Sequence, residues 1–219
     1  MTEKKNFDFD LAAIFEQFNL VDNDNCVHLQ LWMSAHYELN VVEQTILDDL
    51  YLDVFSSGKQ MNEEELKTRM IGLLFYAAKI DVPRKIRVFY ERPLASLVEN
   101  IPLSVICDCM VATPVVNTPK KPYFFLQEFK KKKGDNRATN RFDPEAQMLV
   151  AMLIAQAQNH DNQPVYGGYV IGTSWQFTTL IGKDYCVSSV YEATKKDDLL
   201  QIVFILRKLK ELILNRTDY

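Results

Sequence analysis

Glycine is scarce in this chain, with seven among 219 residues, and none of them builds the glycine-rich loop that cradles a nucleotide phosphate. Histidine is scarcer. His28, His36 and His160 share no metal-ligand spacing, so no histidine-based metal centre is expected. The four cysteines, Cys26, Cys107, Cys109 and Cys186, lack the paired spacing of a zinc site. No serine nucleophile motif is present. No apolar run approaches the roughly 20 residues needed to span a bilayer. Met1–Asn6 is not followed by an apolar signal core. These absences lead to the expectation of a reduced, cytoplasmic chain that does not engage a membrane. With 47% apolar residues the chain is globular and long enough to bury one sizeable core.

Charge is present but segregated. Residues 1–65 carry 14 acids and 3 bases, a net of −11, although the whole chain totals only −4. Residues 66–219 therefore carry +7, and most of it sits in residues 120–141, where eight Lys or Arg face Glu128 and Asp135. Such a patch can attract a phosphate backbone whatever the total charge. Lys131, Lys132, Lys133, Arg137 and Arg141 are the expected nucleic-acid contacts. The alternative is a solvated lysine loop.

The hydrophobic pattern sets an order of elements. Residues 9–56 read as acidic helices, the second starting near His28 with a break around Asn40. Asp22–Asn25 resembles a calcium loop, but Val27 stands where glycine is needed and Met33 where the bidentate acid belongs, so a turn and helix cap are expected. A break falls at Ser56–Lys59. Leu66, Met70, Leu73, Leu74 and Ala77 then form a helical stripe. Ile86–Tyr90 reads as a short strand, separated by Pro93 from Leu94–Val98, and Glu99–Asn100 as a turn into Ser104–Val111. Asp143–Pro144 is a helix start. Strands follow at Val165–Ile171, Trp175–Leu180 and Tyr185–Tyr191, and a helix spans about Asp198–Asn215. Two regions are expected: an acidic helical extension over 1–60 and an α/β domain over 61–219.

Chemistry concentrates on two apolar strands. Pro122–Lys130 carries Glu128 and Lys130, which strand alternation places on one face. Ser104–Val111 carries the lone acid Asp108, flanked by Cys107 and Cys109, which would point away from it as small buried hydrophobes. Burying such charges is costly unless they are paired or bind metal. If the strands pair, Asp108 and Glu128 can hold a divalent metal beside the Lys130 amine, a workable site for phosphodiester hydrolysis. Lys130 would position or deprotonate water and stabilise transition-state charge. The alternatives are a structural ion network and, for Lys130, the first of four surface lysines.

Asp108 followed by Glu128-x-Lys130, within the order α-β-β-β-α-β, resembles the PD-(D/E)XK nuclease superfamily. The resemblance covers roughly residues 62–160, with Cys107 in place of the family's proline. It implies the restriction-endonuclease-like fold, with an αβββαβ core and a mixed sheet, and cleavage of nucleic acid, which is DNA for most members, with Mg²⁺, or Mn²⁺ in its place. It further implies the Phe129 carbonyl as a third metal ligand and Glu65, on the first core helix, as an acid able to reach the metal. Gln147 resembles an accessory catalytic motif, though Ala151 replaces the aromatic that often follows. The rival expectation is a catalytically inactive nuclease-like binding or assembly module. In either case the acidic helices could dock a protein partner or a second copy in a homodimer.

Overall fold

Glu99 and Asn100 both adopt the left-handed backbone, with φ of 49° and 67°. That pair of positive φ values makes the tight reversal favoured in two-residue hairpins, and it joins β2 (Arg87–Val98) to β3 (Ile101–Val115). This hairpin opens the main sheet in a computed structural model that describes residues 10–130 and 143–217, leaving aside the side chains of residues 126–128 and 217.

The chain is of the α/β class. Before the hairpin come α1 (Leu11–Phe18), the two-residue β1 (Val21–Asp22), α2 (Val27–Met33) and α3 (Val41–Ser57). A short α4 (Glu63–Glu65) then runs through a π-helical stretch, Leu66–Ile71, into α5 (Gly72–Ala78). After β3 come β4 (Thr118–Lys130), α6 (Pro144–Asn159), β5 (Val165–Ile171), β6 (Ser174–Ile181), β7 (Asp184–Val187), β8 (Tyr191–Glu192) and α7 (Lys196–Thr217). The sheet order is β1-β7-β6-β5-β4-β3-β2, with β8 on β6. β4 and β5 are parallel, and so are β1 and β7; the other pairs are antiparallel. A parallel pair needs a crossover, which α6 supplies between β4 and β5. From residue 63 onward the order is thus helix, three strands, helix, strand in a mixed open sheet. Among the described residues, no helix is long and apolar enough to cross a membrane.

Two apolar clusters cover the sheet faces. Met110 and Tyr169 join one cluster, while their strand neighbours Val111 and Val170 join the other. Alternation therefore places the clusters on opposite faces. α6 and α1 cover the first face; α2, α3, α5 and α7 cover the second. The N-terminal helices are part of both layers. α1 buries Ile14 and Phe18, and Trp32 of α2 is fully buried against Phe125, Tyr166 and Phe177, with its indole N–H donating to Ile205 O at 2.8 Å. The boundary expected near residue 60 coincides with a 3-10 turn, Gly58–Gln60, but residues on both sides of it enter one core.

Several local expectations are corrected. Pro93 does not divide two strands: β2 runs through it. β2 ends the sheet order, and an edge strand tolerates a residue without an N–H. Asp22–Asn25 forms a turn through Asn23 Oδ1, which accepts from the Asn25 N–H, but no side chain caps α2. Cys26 and Cys186 are not free thiols; they form a disulfide between α2 and β7. Cys107 and Cys109 are both buried but fall in different clusters, so strand alternation breaks between them. The facing residue on β2 is Glu91, whose φ of 51° is left-handed. A non-glycine residue rarely adopts it without support from its surroundings.

Candidate active site

The irregular rung lies where the β3–β4 ladder ends. Its last paired residues are Cys109 and Gln127. One step further, Asp108 Oδ2 accepts from the Phe129 backbone N–H at 3.1 Å. A carboxylate thus takes the position of a ladder bond and fixes the Asp108 side chain against β4. This register brings the Asp108 main chain beside the Glu128–Lys130 segment, as the strand pairing required. Glu128 also pairs through its backbone with Tyr169 of β5. Lys130 is half-buried at the end of β4, and its carbonyl accepts from the Gly172 N–H at 2.8 Å. The Glu128 side chain lies outside the described residues, as do Lys131, Lys132, Lys133, Arg137 and Arg141.

The cation closest to Asp108 among the described ion pairs is Lys67. Its Nζ lies 4.0 Å from Asp108 Oδ1, 3.4 Å from Glu91, 3.5 Å from Glu64 and 3.8 Å from Glu63. It also sits 5.1 Å from the centre of the Phe129 ring, within cation–π range. Both ends of the Lys67–Asp108 pair are largely shielded, at 15% and 14% side-chain exposure. Burial alone would lower the lysine pKa. Asp108, Glu64, Glu91 and Glu63 outweigh that effect and leave it raised, so Lys67 is held as an ammonium. Lys67 belongs to the π-helical stretch, and its carbonyl accepts from the Gly72 N–H, closing the wide turn. Such turns recur at functional positions.

Glu65 does not join this cluster. Its carboxylate accepts from the Asn62 N–H at 2.8 Å while Asn62 Oδ1 accepts from the Glu65 N–H, a reciprocal helix cap. The acids of that helix that approach Asp108 through Lys67 are Glu63 and Glu64. At Phe129 the group meeting Asp108 is the N–H. Gln147 is buried on α6, which covers the sheet face opposite Phe129 and Lys67, the face to which strand alternation also assigns Lys130.

A second carboxylate was missed by sequence reasoning. Glu145, in the first turn of α6, accepts from Tyr169 Oη at 2.9 Å and Tyr185 Oη at 3.1 Å. Burial raises its pKa, while both hydroxyls oppose that shift. Tyr169, which donates to Glu145, is the backbone partner of Glu128 on the neighbouring strand β5. No residue pattern flagged it beyond its place beside the Asp143 helix cap.

Oxygen donors of this kind suit a hard cation such as Mg²⁺. Among the described residues, however, no three His, Cys, Asp or Glu side chains are arranged to hold a metal. The point on which the acids converge is taken by the Lys67 ammonium. No family model matches the chain, and the search of curated proteins finds no match.

Proposed function

We propose that the chain is a metal-dependent phosphodiesterase of the PD-(D/E)XK type, with the restriction-endonuclease-like fold, acting on nucleic acid, with DNA, the substrate of most members of that superfamily, as the first to test. The observation that carries this reading is the Asp108 carboxylate on the Phe129 N–H, which ties the lone acid of β3 to the middle of the Glu128-x-Lys130 segment. The order of elements from residue 63 onward, in a mixed sheet, is further support.

Asp108 and Glu128 would hold Mg²⁺ or Mn²⁺. A bound metal supplies charge stabilisation at the scissile phosphate. Lys130 orients the attacking water or takes its proton, and its positive charge favours the anionic transition state. The basic run that begins at the exposed Lys120 and Lys121 and continues beyond β4 supplies sequence-independent attraction for the phosphate backbone.

The second reading is an inactive nuclease-like binding or assembly module, with the acidic N-terminal helices facing a protein partner or a second copy. The Lys67 ammonium among the acids favours it, because a fixed cation there performs the neutralisation otherwise left to a metal. One experiment separates the two. Purified full-length chain is incubated with plasmid, single-stranded DNA and RNA, with Mg²⁺, Mn²⁺ or EDTA, beside its Asp108→Asn variant. Metal-dependent cleavage lost in the variant supports the nuclease. Nucleic-acid or protein binding without cleavage under any of these conditions supports the module.

A further inference from the structure

We propose that the groove bordered by α3, α5, β2 and α7 is a second binding site, which takes a small amphipathic carboxylate: an apolar body carrying one acidic head. The groove includes none of Asp108, Lys67 and Lys130, so this site stands or falls apart from the phosphodiesterase reading.

The groove has a volume of ≈ 1010 Å³, at the upper limit of the roughly 300–1,000 Å³ usual for small-molecule sites. The buried Leu47 and Phe75 border it, and so do the exposed Val42, Ile46, Tyr76 and Tyr90. Apolar surface thus continues from the core out to solvent, which scattered surface side chains do not provide. The polar groups of the groove are unevenly committed. Its two acids are already occupied. Glu43 accepts from Lys79, Arg207 and the Asn40 N–H, and Asp81 accepts from the Val88 N–H at 2.8 Å. Its donors are not. The Lys79 ammonium carries three hydrogens and is exposed. Arg207 is 9% exposed; its Nη2 serves Glu43 and the Ala77 carbonyl, while its Nε–H has no acceptor among the described residues. A buried donor left unpaired is rare in a folded chain. Arg207 borders the groove, the open space from which an acceptor for it can come. The surrounding charge agrees. Burial first, then the charges of Arg207 and Lys79, hold Lys210 below its ordinary pKa, and Glu211 and Glu43 only partly oppose this. Three cations therefore crowd one corner of an apolar groove. A carboxylate supplies the missing acceptor and charge there, and charge-assisted bonds to arginine and lysine are the strong ones. Its apolar body covers Val42, Ile46 and Tyr76.

Dodecanoate and dodecanol, which differ in the acidic head, are titrated calorimetrically into the full chain and into Ile46→Glu, Arg207→Gln and Lys79→Gln. Dodecanoate should bind one per chain, with affinity about ten-fold or more above dodecanol and reduced about ten-fold or more in Ile46→Glu and Arg207→Gln. Lys79→Gln, at an exposed position, reports on the head should the Arg207 variant not fold. Equal affinity for acid and alcohol overturns the acidic head. Absence of dodecanoate binding, or binding unchanged in all the variants, overturns the site. Sedimentation of the same proteins closes the test: self-association that Ile46→Glu abolishes, without dodecanoate binding, overturns the small-molecule occupant in favour of a second copy.

Discussion

Asparagine and alanine at position 108 divide the role of this acid into parts. Asp108 makes one hydrogen bond from the Phe129 N–H at 3.1 Å and one ionic approach to Lys67 at 4.0 Å. Asparagine keeps an oxygen for the N–H and loses the charge. Two unit charges at that separation attract by about 4 kcal/mol at an effective dielectric of 20. The repulsion of Asp108 by three neighbouring glutamates offsets much of this, so Asp108→Asn should cost only about 1 kcal/mol without metal. Alanine also leaves the buried N–H unpaired, a further ~1–3 kcal/mol. Urea denaturation of the three proteins in EDTA measures both steps. Repeating it with Mn²⁺ at about a hundred times its dissociation constant should stabilise the wild type by about 2.7 kcal/mol and leave Asp108→Asn unmoved. An alanine variant no weaker than asparagine would refute the role assigned to the Phe129 bond. A wild-type transition indifferent to both Mn²⁺ and Mg²⁺ would refute the metal.

Lys130→Ala should remove cleavage while leaving Asp108-dependent Mn²⁺ binding nearly intact, whereas Lys131→Ala and Lys133→Ala should weaken DNA binding and flatten its salt dependence; equal loss of cleavage from all three would reduce Lys130 to part of a charge patch. Glu43, at the start of α3, accepts from Lys79 at 2.9 Å, Arg207 at 3.0 Å and the Asn40 N–H at 3.2 Å. The Lys79 bond, then the Asn40 bond and the charges of Arg207 and Lys79, hold its carboxyl at about 2 against the opposing effect of burial. Because this folded pKa is depressed, its stabilisation is complete above about pH 4.5 and is lost as pH falls toward 2. Allowing for solvent screening at the exposed Lys79, Glu43→Gln should cost about 1–2 kcal/mol at pH 7 and converge on the wild type near pH 2; a pH-independent difference in urea titrations would contradict this. Trp32→Ala should cost about 3–5 kcal/mol, since a fully buried indole spans α2, α7 and the sheet; a loss below 1 kcal/mol by thermal or urea unfolding would mean that α2 is an appendage.

The hairpin is legible in the sequence. A two-residue turn at Glu99–Asn100 pairs Val98 with Ile101, and counting back along both strands sets Glu91 opposite Asp108. The acid facing Asp108 was thus within reach of sequence arithmetic, and it was missed because Pro93 suggested a strand break. The start of α6 was legible too, since Asp143 and Pro144 carry the geometry of a helix entry locally. Lys67 was not legible. Its importance arises from a wide helical turn and from a helix approaching a sheet rung, neither of which leaves a periodic trace. The different faces taken by Cys107 and Cys109 are hidden for the same reason: alternation assumes a regular strand, and this strand is irregular at its charged residue. The Cys26–Cys186 disulfide joins residues 160 apart in sequence, and spacing alone does not encode such pairings.

The pairing of β1 with β7 has a consequence for how the chain is made. Val21 meets Asp184 and Asp22 meets Tyr185, while Trp32 waits for the carbonyl of Ile205. β1 and α2 therefore lack these backbone partners until β7 and α7 have been translated. At about 5–20 residues per second, that interval is on the order of ten seconds or more. During it the apolar sides of α1 and α2 are available to other chains. Contacts this distant in sequence also slow closure of the sheet itself. Yield of folded material should accordingly improve at low temperature or with chaperones that shield nascent helices, and synthesis of β7 and α7, rather than hairpin formation, should set the time at which protease resistance first appears.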